Sequence, residues 1–161
     1  MKPADVVGKA LAAGLTVATA ESLTAGQVAA SLADVPGASG MLKGGVIAYA
    51  NDIKMKVLGV EPTLLVQAGS VDAAVARQMA EGARTLMNTD LAVSTTGVAG
   101  PEPHDGKSVG TVFIAVASAS GTRVVEYRFS GGRGQIRQQS CSAALELLGS
   151  GLSMGTKDPA G

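Results

Sequence analysis

Leu15 to Ala20 is an apolar run of strand length that breaks at Glu21-Ser22-Leu23-Thr24 into a stretch of small residues, Ala25 to Ala33, with helical character. A strand that turns directly into a helix must pack that helix back on a sheet, which points to a layered α/β architecture. The turn puts hydroxyls at the sheet edge, beside unpaired N–H groups and the positive end of a helix dipole. Such a position suits anion binding or nucleophilic attack. On these residues alone, Ser22 or Thr24 reads more simply as a helix N-cap than as a nucleophile.

The alternation continues along the chain. Residues 4–13 put Val6, Val7, Ala10 and Leu11 on one face of a helix stopped by Gly14. A loop over 34–40 leads to a strand over 41–50, where Gly44-Gly45 suggests a bend or close packing. Asn51-Asp52 reads as the cap of a short helix over 53–58, and Glu61-Pro62 starts another turn closed at Gly69. Ser70 is the expected N-cap of the longest helix, over 71–88.

A strand over 91–95 runs into the loop 96–106, which is too long to be explained as a connection. Strands over 109–117 and 123–129 make a hairpin around Ser120-Gly121-Thr122. Gly131-Gly132 opens a last helix with Ile136, Ala143, Ala144, Leu147 and Leu148 on one face, and residues 150–161 read as a flexible tail. These elements predict a single three-layer α/β/α domain over residues 1–149 with a mixed sheet.

Composition narrows what can fill it. The chain has no Trp and only two Phe and two Tyr, so the core must be built from Val, Ala, Leu, Ile and Met. Thirteen basic residues balance thirteen acidic ones without a basic run, which gives no electrostatic ground for nucleic acid binding. The longest uncharged run, Ser108 to Thr122, is too short and too polar for a membrane span. Met1-Lys2-Pro3-Ala4-Asp5 lacks a signal-peptide pattern, and a lone Cys141 excludes an internal disulfide. A soluble cytoplasmic protein is the expectation.

Three polar loops follow predicted strands: Glu21 to Thr24, Tyr49 to Lys54, and Thr95 to Gly100. Loops at the carboxyl ends of parallel strands converge on a ligand crevice, so Ser22, Tyr49, Lys54 and Thr96 can share a pocket. The single histidine, His104, lies in a Pro-containing loop, which disfavours a Ser–His–Asp triad. A Ser–Lys arrangement remains open. It requires a lysine whose pKa falls from roughly 10.4 to about 7–8 through burial or a nearby cation. Tyr49 could relay a proton, and N–H groups at the start of the helix near Gly26 could hold an oxyanion.

Plainer readings stand beside these. Lys54 is most simply a solvated helix lysine, Tyr49 a packed strand residue, and Glu21 a carboxylate that favours the helix dipole. Arg133 and Arg137, one turn apart, could grip a phosphate, though such arginines more often face water. No Cys, His or carboxylate cluster has metal-ligand spacing, so no metal is expected.

Four motifs in order change the balance. Thr19 to Gly26, Tyr49 to Lys54 with Leu58-Gly59-Val60, Thr96 to Pro101, and Val109-Gly110-Thr111-Val112 together resemble the CinA C-terminal domain family over roughly residues 3–149. This is the family of nicotinamide mononucleotide deamidases, also labelled competence/damage-inducible proteins. The resemblance implies an α/β/α amidohydrolase that converts nicotinamide mononucleotide to nicotinate mononucleotide and ammonia, with no metal and no cofactor.

By the same resemblance Ser22 is the nucleophile, Lys54 the base and Tyr49 its helper. Glu21, Thr24, Gly26, Asn51, Thr96, Gly97, Arg133 and Arg137 are then the substrate-binding candidates. A stand-alone homodimer is implied, because nothing here matches the extra N-terminal domain of larger CinA proteins. Two positions depart from the family: Ala25 replaces a glycine, and Glu102-Pro103-His104-Asp105 replaces a Gly-rich loop. A methyl at residue 25 is harmless in helical backbone and costly at positive φ. The alternative reading is a non-catalytic nucleotide-binding module linked to competence or DNA damage.

Overall fold

The structure, a computed structural model, describes residues 1–154. Helix α1 (Pro3–Ala13) precedes strand β1 (Val17–Glu21), and helix α2 (Gln27–Ala33) leads to strand β2 (Leu42–Ile47). Helices α3 (Asn51–Leu58), α4 (Pro62–Ala68) and α5 (Ala73–Met87) follow, then strands β3 (Leu91–Gly97), β4 (Thr111–Ser118) and β5 (Gly121–Arg128), and helix α6 (Arg133–Met154). The sheet order is β2-β1-β3-β4-β5. Strands β2, β1 and β3 are parallel, while β4 and β5 run antiparallel. The expected mixed sheet and hairpin are both present.

Side-chain alternation along the strands builds the two outer layers. On one face Val17, Leu91, Val93, Val112, Ile114 and Val116 pack with α1, α2 and α6. On the other, Ala18, Ala20 and Ala92 meet α3, α4 and α5, and Phe113, Ala115 and Ala117 continue that face under α5. Alanine lets α5 lie close to the sheet, so the core closes without bulky aromatics. Each Val, Leu or Ile taken fully out of water contributes about 1.5–3 kcal/mol.

Close packing also explains the glycine pair in β2. A Cβ on Gly45 would lie 2.2 Å from Thr19 Oγ1 on the neighbouring strand.

Several boundaries differ from the sequence reading. Helix α2 starts at Gln27, because Ala25 and Gly26 both take positive φ. Ala50, rather than Asn51 or Asp52, is the N-cap of α3, and Asp72, rather than Ser70, caps α5 through the Ala74 N–H. Both caps are extended residues, Ala50 one position before the expected cap of α3 and Asp72 two positions after that of α5.

The longest helix is α6, with 22 residues against 15 in α5, and it runs on through residues 150–154. Leu148 and Leu152 are buried in the core, which carries the helix past Ser150. The rest of the expected tail lies outside the described residues. Leu11 is 42% exposed, so the buried face of α1 is Val6, Val7 and Ala10.

Candidate active site

Parallel β1, β2 and β3 deliver their carboxyl ends to one edge of the sheet. Ser22 follows β1 directly, Tyr49 follows β2, and Thr96 and Gly97 end β3. Around them lies a cavity of about 350 Å³ whose lining includes Ser22, Tyr49, Lys54, Ser70, Thr96 and Arg133. The loop from Val98 to His104 forms a further wall.

The turn that carries Ser22 is held from every side. The Ser22 N–H donates to the Thr95 carbonyl at 3.0 Å, and the hydroxyls of Thr24 and Thr95 are 2.7 Å apart. Glu21, only 1% exposed, bends its carboxylate under the turn. There it accepts the N–H groups of Gly26 and Val28 at 3.0 Å each and of Ala29 at 2.8 Å. Arg137 closes the other side: Nε donates to the Leu23 carbonyl at 2.8 Å and Nη2 to the Thr24 carbonyl at 3.3 Å.

These contacts change two expectations. Neither Ser22 nor Thr24 caps α2: Gly26 is the N-cap, without a side-chain bond, and Glu21 supplies the acceptor from below. The N–H groups at the start of α2 serve Glu21 and are not offered to an oxyanion. Glu21, Gly26 and Arg137 therefore build the turn from behind, and none of them lines the cavity.

Lys54 projects from α3 into the interior and is 1% exposed. Its Nζ donates to Ser22 Oγ at 3.2 Å and to the Tyr49 carbonyl at 3.1 Å. Burial lowers its pKa from 10.5 to about 8, with the Asp105 carboxylate opposing part of that fall. An amine with that pKa is neutral part of the time near neutral pH, and it meets a serine hydroxyl within proton-transfer distance. The reading of Lys54 as a solvated lysine is overturned: α3 buries the whole side chain.

Tyr49 divides its contacts. Its carbonyl holds Lys54, while its hydroxyl accepts from Arg133 Nη2 at 2.7 Å at the cavity mouth. The ring is 56% exposed rather than packed. Arg133 Nη1 also donates to the Gly100 carbonyl at 2.5 Å. This guanidinium stands in the first turn of α6, where a cation opposes the helix dipole. Asn51 lies exposed in the first turn of α3 and does not line the cavity, while Thr24 is buried behind Ser22. Thr96 turns its hydroxyl to the Ser70 carbonyl at 2.6 Å.

Sequence reasoning missed Ser70 and Asp105. Asp105 Oδ2 accepts the Ser70 N–H at 2.9 Å and the Ser70 hydroxyl at 3.2 Å. Those hydrogen bonds, the backbone one foremost, lower its pKa. The available signal was Asp105-Gly106, a dipeptide suited to a tight hairpin turn, inside a loop already too long for a connection.

The CinA C-terminal domain matches residues 2–152. A CinA-like protein of Geobacter sulfurreducens is 46% identical over 136 residues, covering 84% of this chain and 33% of that protein. A CinA-like protein of Frankia casuarinae is 41% identical over 143 residues, covering 89% and 33%. This chain thus spans about a third of the length of the curated relatives it matches.

Among solved structures, a competence-damaged protein (CinA) superfamily protein of Klebsiella pneumoniae superposes with a TM-score of 0.91 at 30% identity, covering 94% of this chain and 96% of that one. A competence/damage inducible protein of Agrobacterium tumefaciens gives 0.85 at 35% identity, covering 95% and 98%.

Proposed function

Because this chain belongs to the CinA C-terminal domain family, we propose that it is an amidohydrolase acting on the carboxamide of nicotinamide mononucleotide. The observation that carries the reading is the buried Lys54 amine 3.2 Å from the Ser22 hydroxyl at the floor of an open cavity. When Lys54 is neutral, the hydroxyl donates to it. Ser22 Oγ attacks the carboxamide carbon and Lys54 takes the proton.

The tetrahedral oxyanion lies against the N–H of Leu23, which follows the nucleophile and lines the cavity. Lys54 returns the proton to the departing nitrogen, ammonia leaves, and an acyl-Ser22 ester remains. Water then attacks the ester while Lys54 again accepts and returns a proton. This releases nicotinate mononucleotide and restores Ser22. The Tyr49 carbonyl fixes the amine's direction, and the phenol, paired with Arg133, faces the phosphate end of the substrate.

Four of the remaining candidates serve this geometry as supports: Glu21, Thr24, Gly26 and Arg137 hold the Ser22 turn. Thr96 and Gly97 form the wall beside the pyridine. A homodimer in the cytoplasm is the expected setting, and sedimentation would check the assembly. No helix among the described residues is long and apolar enough to cross a membrane.

Ammonia release from nicotinamide mononucleotide tests the reading. Ser22→Ala is expected to lower the rate by at least about 10³-fold and Lys54→Met by about 10²–10⁴-fold. No release above the Ser22→Ala control would sink it. Calorimetric binding without turnover would instead favour a nucleotide-binding module.

A further inference from the structure

The loop after Pro101 carries a lock that the proposed chemistry does not use. Residues 104–107 form a miniature hairpin in which His104 N–H donates to the Lys107 carbonyl at 3.1 Å and Lys107 N–H to the His104 carbonyl at 2.8 Å. Its two central residues, Asp105 and Gly106, have φ of 49° and 72°, the left-handed pair of a type I′ turn.

The tip of this hairpin reaches the junction between α4 and α5. Asp105 takes both hydrogens that Ser70 offers, from its N–H and its hydroxyl. The Ser70 carbonyl accepts from Thr96, so one residue ties the loop to the end of β3. The fit is tight: a Cβ on Gly69, whose φ is 75°, would lie 2.7–2.8 Å from Asp105 side-chain atoms. His104 Nε2 closes the set at 3.2 Å from Asp105 Oδ2.

We propose that Asp105 is a positioning residue that docks the 101–107 loop on Gly69-Ser70 and so fixes the cavity wall opposite Ser22. Glu102, Pro103 and His104 line that cavity only because the tip beyond them is fastened. The carboxylate also acts on Lys54 through its charge, opposing the fall that burial imposes. Asp105 is coupled by charge to both Lys54 and His104, while Tyr49, Glu102 and Arg133 also line the cavity and Lys107 closes the hairpin.

The consequence for catalysis rests on the amidohydrolase reading; the docking does not. Three variants separate the roles. Asp105→Asn keeps an oxygen for the Ser70 N–H and loses the charge, whereas Asp105→Ala loses both and also the tolerance of φ 49°. Asp105→Gly restores that tolerance, so equally fast exchange at Ser70 is expected in Asp105→Gly.

Amide hydrogen exchange reads the docking in the absence of any substrate. Asp105→Ala is expected to speed exchange at Ser70, His104 and Lys107 by at least about tenfold, and Asp105→Asn by much less. With nicotinamide mononucleotide, Asp105→Ala is expected to raise KM by about 5–20-fold, more than it lowers kcat. Asp105→Asn should keep KM within about twofold and move the alkaline rise of kcat to lower pH, since Lys54 loses the charge that raises its pKa.

Wild-type protection at Ser70 that Asp105→Ala leaves unchanged would overturn the docking. A KM insensitive to Asp105→Ala in an active enzyme would overturn the positioning role. If the wild type releases no ammonia, the amidohydrolase reading fails while the exchange experiment still decides the lock.

Discussion

Two carboxylates hold the two sides of this cavity, and they do so at different depths. Glu21 lies under the Ser22 turn, 1% exposed, and accepts three backbone N–H groups. Asp105 fastens the opposite wall with 34% of its side chain exposed and takes two hydrogens from one residue. Hydrogen bonding to backbone N–H groups is common to both, but only the first is sealed from water. The floor that carries Ser22 is therefore built to stay fixed, while the wall is held by contacts that water can replace.

The sharpest way to break the comparison is to remove each carboxylate in turn. Glu21→Ala removes the acceptor of three N–H groups, that of Val28 buried and those of Gly26 and Ala29 partly buried. Leaving such groups unpaired costs about 1–3 kcal/mol each, most for the buried one. A loss of about 3–5 kcal/mol in urea unfolding is expected, with the Ser22 turn disordered and activity gone. Asp105→Ala is expected to cost less, about 1–2 kcal/mol, most of it from alanine at φ 49°, because solvent replaces the lost bonds. Equal losses for the two would show that depth does not separate floor from wall.

Lys54 sharpens the comparison from the opposite direction, since it belongs to the floor and weakens it. Its folded pKa of about 8 lies below the ordinary 10.5, so the folded protein binds fewer protons than the unfolded chain between those values. Stability must therefore rise with pH from about 8 to about 10.5, and the full penalty, roughly 3 kcal/mol as an upper figure, applies below pH 8. Lys54→Met should raise stability at pH 7 by about 1–3 kcal/mol and flatten the dependence in that window, while the proposed hydrolysis falls by about 10²–10⁴-fold. Thermal unfolding across pH 7 to 10.5 checks both signs. A Met variant that is less stable than wild type would mean that the amine supports the fold rather than straining it.

The arginines of α6 repeat the contrast on one helix. Arg137 is half-buried against the Leu23 and Thr24 carbonyls, whereas Arg133 is exposed at the mouth with Tyr49 and Gly100. Arg137→Ala is expected to cost about 1–2 kcal/mol and, on the proposed mechanism, to lower kcat, because the Ser22 turn loses its brace. Arg133→Ala should change stability by less than about 0.5 kcal/mol and act mainly on KM. Kinetics of both variants beside their unfolding curves would expose an exchange of roles.

The sheet and the meeting of three strand ends were legible in the sequence because they rest on apolar runs and loop position. Ser22 and Lys54 could be brought together on paper for the same reason. What could not be read was the use of each polar group. Glu21 follows the apolar run like a ligand-facing residue, yet it turns back to its own helix, a choice made by three-dimensional reach rather than spacing. Ser70 looked like a cap because it precedes a helix, but its hydrogens go to Asp105, 35 residues away. Such pairings across the chain leave no periodic trace, and they decide which candidates line the cavity and which only support it.

The smallest effect tests how firmly the floor is held. Ala25 has φ 47° and Asp105 has φ 49°, so floor and wall share the same unusual backbone conformation. Aspartate tolerates the left-handed region through local hydrogen bonding, whereas alanine is disfavoured there by about 1–2 kcal/mol. At residue 25 the turn is enforced from outside, by Glu21 gripping the next amide, Gly26. Ala25→Gly relieves the strain but frees the unfolded chain, which offsets about 0.4–1 kcal/mol. A net gain of about 0.5 kcal/mol is expected from urea unfolding. That gain exists only while Glu21 imposes the conformation, so it should vanish in a Glu21→Ala background, where the turn can relax by itself. A gain that survives the loss of Glu21 would mean that some other contact sets the left-handed turn and that the carboxylate merely follows it.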